Sequence, residues 1–286
     1  MKVQRLAAFT RDGEGGNPAG VVLCDRLPEE AAMQATAREV GFSETVFAMP
    51  MEDGAGFRAR YFAPEGEVPF CGHATIALGA ALGAAQGPGH YGLTLNDAAI
   101  SVEAYPEGDA WGARLTSPPT SYAAAPDALL DEALALFGLH ESDLDPEIPP
   151  ALVSAGARHL LIALCRHSML QAMSYDFAAG AGLMRQAGLV TINLIWRENP
   201  GRIHSRNAFA GHGVYEDPAT GAAAAALAGY LRDNLEQGAP FEVLQGREAA
   251  HPSRLLVRAH QGRGAPVEVS GAVRRMAEPT QDRLRA

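Results

Sequence analysis

The stretch EVPFCGHATIALGAAL, Glu67–Leu82, runs from an acid and a proline into a helix of very little side-chain bulk. Its opening follows the pattern E-x-P-x-x-G-x-A, and EDPATGAA, Glu216–Ala223, repeats that pattern about 150 residues later. Upstream, REVGFSETVF (Arg38–Phe47) lines up with RQAGLVTINL (Arg185–Leu194) at nearly the same separation. Two matches in one order read as two copies of a single αβ unit. Helices this slender suit a curved sheet wrapped closely around them. The predicted fold class is α+β: two pseudo-symmetric domains, each a curved sheet or barrel around a central helix.

Strand signals alternate with helix signals on either side. KVQRLAAF, AGVVLC, SETVFAM and GFRARYF read as strands, and Pro28 to Val40 as a helix stopped by Gly41. From Ser117 to Pro150 six of the 19 prolines surround one amphipathic helix, Asp127 to Phe137. That shift marks the domain boundary. The predicted domains are 1–117, joined by a last strand at about 271–286, and 118–270.

Bulk properties exclude several function classes. Of the 286 residues 47% are hydrophobic and 20% charged, enough apolar material for a sizeable core. A net charge of −10 without a basic run argues against nucleic acid and anionic membranes as partners. Cys24, Cys71 and Cys165 are too far apart for a disulfide framework or a CxxC metal site. The N-terminus lacks the apolar core of a signal peptide, and PATGAAAAALAGYL is too short to span a bilayer. A soluble, cytoplasmic protein is expected. DGEGGNPAG (Asp12–Gly20) leads into a strand and is no dinucleotide fingerprint, so a nucleotide cofactor is unsupported.

The helix starts carry the chemistry. First-turn N–H groups and the helix dipole favour anions, and glycine allows close approach. If the repeats face each other, Gly72 and Gly221 would clamp a small substrate by its carboxylate. Cys71 aligns with Thr220, so a two-thiol racemase is not available; Cys71 reads as a packed first-turn residue, with an epimerase using it and another base as the alternative. Glu44 shares a strand face with Phe42, Val46 and Ala48, and its counterpart is Thr191. Apolar neighbours would raise its pKa toward general acid–base use; an ordinary strand-edge glutamate is the competing reading. Asp217 could cap α-helical amides, hold His73 or orient a substrate. His73 reads as a partner of substrate or Asp217 and not as a metal ligand, since no second histidine stands at metal spacing.

GNPAGVV (Gly16–Val22), SETVF (Ser43–Phe47), PFCGHAT (Pro69–Thr75), EDPATGAAAAAL (Glu216–Leu227) and QGREAAHPSRLLV (Gln245–Val257) together resemble the motifs of the PhzF family of phenazine-biosynthesis-like isomerases. The resemblance implies a diaminopimelate-epimerase-like fold and isomerisation of the trans-2,3-dihydro-3-hydroxyanthranilate type. It implies Glu44 as the acid–base assisted by His73 and Asp217, and Ser43, Gly72, Gly221 and Ala222 at the substrate. It also implies a homodimer acting on a small carboxylate-bearing metabolite without metal or organic cofactor. Ala222 stands where the family usually has serine, and His251 where it usually has arginine. A metabolite- or partner-binding protein without catalysis is the alternative on the same fold.

Overall fold

The computed structural model describes residues 2–52, 54 and 56–277. In chain order the elements are β1 (Gln4–Thr10), β2 (Asn17–Leu23), α1 (Glu30–Val40), β3 (Glu44–Pro50), β4 (Phe57–Phe62), β5 (Glu67–Val68), α2 (Gly72–Gln86), β6 (Gly89–Thr94), β7 (Ala99–Glu107) and β8 (Ala110–Thr116). There follow β9 (Ser121–Ala124), α3 (Asp127–Phe137), β10 (Ala151–Ser154), β11 (Arg158–Ala163), α4 (His167–Gln171), α5 (Phe177–Ala187), β12 (Thr191–Asn199), β13 (Arg202–Ala208), β14 (Glu216–Asp217), α6 (Gly221–Leu235), β15 (Phe241–Gln245), β16 (Ser253–Ala259) and β17 (Val267–Arg275). The described residues form two compact units, the first from 2–13, 17–114 and 272–277, the second from 14–16 and 115–271. The strand expected at about 271–286 is β17, which starts at Val267 and ends at Arg275; residues 278–286 lie outside the described ones.

In the first unit β2 pairs parallel with β3, β3 antiparallel with β4, β4 antiparallel with β5 and parallel with β6, and β6 antiparallel with β7. In the second, β11, β12, β13, β14, β15 and β16 pair in the same sequence of senses. The repeat in the sequence is therefore a repeat of topology, with α1 matched by α5 and α2 by α6.

The helices explain the composition. In α2 every residue from His73 to Gly83 is buried, so the helix is enclosed on all sides. A Cβ on Gly79 would come within 2.6 Å of Val102 on β7 and 2.9 Å of Ala113 on β8. The sheet thus rests on bare helix backbone, which is why bulk is missing there. In the second unit α6 is buried from Ala223 to Leu231, and a Cβ on Gly229 would meet the Thr120 side chain at 2.5 Å. The outer helices are ordinary amphipathic ones. Met33 and Ala37 of α1 pack with Val22, Phe47 and Phe62, while Ala181 and Met184 of α5 pack with Leu160, Ile162, Ile192 and Leu194. Since Phe47 points to α1, period-two alternation turns Glu44, Val46 and Ala48 to the opposite face, toward α2.

The glutamates of the two E-x-P segments have a structural task. Arg60 of β4 grips Glu67 with two charge-assisted hydrogen bonds of 2.7 and 2.6 Å, and Arg206 of β13 grips Glu216 likewise at 3.0 and 2.5 Å. Each clamp fixes the short strand that delivers the chain to its central helix. The Arg60 hydrogen bonds hold the Glu67 carboxyl below the usual carboxylate range.

Candidate active site

In the first unit Asn17 opens β2, Glu44 opens β3, and Cys71 is the N-cap of α2 with Gly72 and His73 in its first turn. These starts lie together because β2 and β3 run parallel, with Ala19 opposite Glu44. The His73 ring is the hub. Its Nε2 is 3.3 Å from Glu44 Oε2 and 3.3 Å from Ser43 Oγ, and its Nδ1 is 3.2 Å from Asn17 Nδ2 and 3.3 Å from Cys71 Sγ. The Asn17 amide nitrogen can only donate, which leaves the ring proton on Nε2, aimed at Ser43 and Glu44.

Glu44 is neither a solvated strand-edge acid nor a fully enclosed one: its side chain keeps 17% of its exposure, against 8% for His73. Its Oε2 is buried and close to His73, yet makes no hydrogen bond among the described residues. A buried carboxylate oxygen whose nearest donor, the His73 Nε2–H, stands at 3.3 Å outside hydrogen-bonding geometry costs folding free energy, and such an oxygen calls for a functional explanation.

Beneath this group Thr75 donates its hydroxyl to the Cys71 carbonyl at 2.7 Å, and Tyr61 donates to Thr75 Oγ1 at 2.7 Å. Burial pushes the Tyr61 phenol up, so it stays a donor. This chain ties the turn at Cys71 to β4. The Cys71 side chain makes no capping hydrogen bond to α2, and a Cβ on Gly72 would meet nothing within 4 Å. The first-turn amides are thus approachable beside Glu44, the arrangement an anion needs.

In the second unit Asp217 closes β14 and Gly221 and Ala222 open α6. Thr220 donates its hydroxyl to Asp217 Oδ2 at 2.7 Å, so the aspartate braces the N-cap residue. Gln245 completes the turn: its Nε2 donates to the Asp217 carbonyl at 2.6 Å and to Thr220 Oγ1 at 3.0 Å, and its Oε1 accepts from the Thr220 amide at 3.2 Å. Thr191, the counterpart of Glu44, donates to Asn207 Oδ1 at 2.8 Å within a buried polar row.

Sequence reasoning placed Ser43, Glu44, Gly72 and His73, and the first unit brings them together. It missed Asn17 and the contact of Cys71 with His73. The signal for Asn17 was its place in GNPAG, where asparagine precedes proline at the mouth of a strand. Cys71 was weighed only as a base or a packing residue, and not as a neighbour of the histidine two positions on.

The profile of the phenazine biosynthesis-like protein family, PhzC-PhzF, matches residues 6–277. The chain is 34% identical over 274 residues to a protein of Pseudomonas fluorescens named trans-2,3-dihydro-3-hydroxyanthranilate isomerase, across 93% of this chain and 94% of that one. Its fold matches the crystal structure of a Bacillus anthracis phenazine biosynthesis protein of the PhzF family, with a TM-score of 0.85 at 23% identity over 97% and 98% of the two chains. A probable proline racemase of Agrobacterium radiobacter shares the fold more distantly, with a TM-score of 0.64 at 12% identity over 99% and 94%. The repeated topology, the glycine-rich central helices and these matches agree: the chain is an isomerase belonging to the phenazine biosynthesis-like family.

Proposed function

We propose that this chain moves a proton within a small carboxylate-bearing substrate, in the manner of trans-2,3-dihydro-3-hydroxyanthranilate isomerisation, with Glu44 as the single acid–base and no organic cofactor. The observation that carries the reading is the buried Glu44 Oε2, without a hydrogen bond among the described residues and 3.3 Å from His73 Nε2. The carboxylate takes a proton from a substrate carbon, and the C–H electron pair passes into the substrate's unsaturated system. The Glu44 carboxyl, whose proton exchanges with water, then delivers a proton at another carbon, so atoms and charge balance. Ser43 and the His73 Nε2–H hold polar substrate groups, and the Gly72 amide binds the carboxylate. Asp217, Gly221 and Ala222 are assigned to the same substrate by the family motifs they occupy.

The test is deuterium uptake from heavy water into trans-2,3-dihydro-3-hydroxyanthranilate. Glu44→Gln should slow uptake about 10²- to 10⁴-fold while leaving the melting temperature near wild type. Uptake that persists in that variant rejects Glu44 as the base. Asp217→Asn should lower kcat/KM by at least about tenfold, as loss of a group contacting substrate does; an unchanged value confines the site to the first unit.

An epimerase with thiols on both sides of a carbon is disfavoured by the second unit itself. There the position of Cys71 is held by Thr220, whose hydroxyl proton is engaged with Asp217. The proposal also takes the chain as a cytoplasmic homodimer; light scattering that returns the mass of one chain would remove the dimer.

A further inference from the structure

The sequence gives no metal-ligand spacing around His73, but the fold supplies what the spacing lacks. Glu44 arrives from β3, and Cys71 Sγ stands beside the imidazole, so that Glu44, Cys71 and His73 offer one ligand atom each within 4.8 Å of one another. We propose that Glu44 Oε2, Cys71 Sγ and His73 Nε2 form an inhibitory site for a soft divalent cation, zinc above all.

The three ligand atoms, all within 4.8 Å of one another, are within reach of such an ion. A tetrahedral zinc with N and O at about 2.0–2.1 Å and S at about 2.3 Å spaces its ligand atoms about 3.3–3.6 Å apart. Here His73 Nε2 lies 3.3 Å from Glu44 Oε2 and 3.8 Å from Cys71 Sγ. Cys71 Sγ lies closer to Nδ1, at 3.3 Å, so the imidazole and the thiol turn about their side-chain bonds to bring Nε2 and Sγ onto one ion. The donor set of thiolate, imidazole and carboxylate selects zinc-like ions over magnesium or calcium, which take all-oxygen shells. Charge also balances: a thiolate and a carboxylate neutralise the dication, which offsets its unfavourable place at a helix N-terminus. Glu44 Oε2 has no hydrogen bond to give up among the described residues.

The surrounding residues accommodate the change of tautomer. With Nε2 on the metal, the ring proton moves to Nδ1, 3.2 Å from the Asn17 carboxamide. Turning that amide over presents its oxygen to Nδ1–H, the partner a metal-bound histidine needs. Three protein ligands leave a fourth position for water. Metal on Glu44 Oε2 removes the lone pair proposed to take the substrate proton. Binding rests on the coordinates alone, whereas inhibition rests on the function proposed above.

Titrating the intact chain with Co²⁺ tests the site without a substrate. The wild type should develop thiolate-to-cobalt charge-transfer absorption at one ion per chain, bleached by Zn²⁺. Cys71→Ser should abolish the band, and Glu44→Gln and His73→Ala should each weaken cobalt binding at least about tenfold. The double variant Cys24→Ser/Cys165→Ser, which removes the two other cysteines, should keep it. Melting curves confirm that each variant is folded before it is scored. No band in the wild type, or a band that survives Cys71→Ser, overturns the proposal. The second readout is deuterium exchange into substrate, which Zn²⁺ should suppress in competition with the substrate. If the cobalt band behaves as expected and exchange proceeds unhindered with zinc bound, the metal site stands and Glu44 as the base falls.

Discussion

His159 on β11 has no exposed surface, and its Nδ1 lies 2.8 Å from Thr191 Oγ1. The Thr191 hydroxyl proton is spent on Asn207, so the ring must donate from Nδ1 and keep Nε2 as a bare acceptor. Nε2 has no hydrogen-bond partner among the described residues, and burial holds the imidazole pKa down to about 3. The unfolded chain takes a proton near pH 6.5 and the folded one does not, so stability falls with pH from there toward 3. The loss is about 1.4 kcal/mol for each pH unit. Urea unfolding should therefore show the wild type losing about 2 kcal/mol more than His159→Gln between pH 6.5 and 5. Equal slopes would show that this ring is not what titrates. The Arg206–Glu216 pair makes a second prediction at this scale. Its side chains are 7% and 4% exposed, and Arg206 also donates to the carbonyls of Leu170, Gln171 and Met173. Glu216→Gln leaves that guanidinium buried without its counter-charge and should cost about 3–5 kcal/mol in denaturant unfolding. Neither role was legible beforehand. The sequence marks Glu216 as part of a motif, but only the register of β13 against β14 shows which arginine it meets. Glu44 and His73 were legible because short motifs hold them at the starts of elements. Their meeting with Asn17 and Cys71 depends on side-chain directions that no spacing records.

At the scale of elements the central helices were the most readable part, because their composition is itself the packing requirement. Gly79 and Gly83 are glycine since the sheet lies where their side chains would be: Val102 and Ala113 over the first, Trp111 and Ala104 over the second. Gly79→Val should cost at least about 1–3 kcal/mol, the range for overfilling a close-packed site, and Gly87→Ala should pack no worse. A Cβ at Gly87 meets nothing within 4 Å, although its φ of 101° adds strain of its own. The comparison is therefore best made with Gly182, where no such φ applies and the space is open. Gly182→Ala should leave the melting temperature unchanged or raise it, since alanine favours helix. Thermal melts showing equal losses at Gly79 and Gly182 would mean that contact with the sheet is not what requires glycine at position 79. Helix ends were read to within two residues: α1 begins at Glu30 where Pro28 was expected, because Glu29 is still extended at ψ 145°. The two-residue strands β5 and β14 were not read as strands, being too short to show any periodicity.

For the molecule as a whole, duplication has left two units of one topology and unequal chemistry. The first kept an acid at the start of β3, whereas the second has Thr191 at the start of β12, hydrogen-bonded to His159 and Asn207. A position used for chemistry in one copy thus serves packing in the other. The overall repeat was visible in the sequence, whereas this division of labour was not, because it resides in which polar groups find partners. The last strand allows the units to be told apart by experiment. Residues Val267 to Ser270 of β17 pair with β16 in the second unit, and Ala272 to Arg275 pair with β1 in the first. Ending the chain after Gly271 therefore removes a strand from the first unit and leaves the second unit's segment, 115–271, whole. Hydrogen exchange on that truncated chain should show lost protection at Leu6, Ala7 and Ala8, which face Arg275, Arg274 and Val273, with protection retained at Leu256 and Val257. Isomerase activity should vanish with it, since β1 pairs with β2, whose first residue is Asn17. Uniform loss of protection across both segments would instead mean that the two units unfold as one cooperative body.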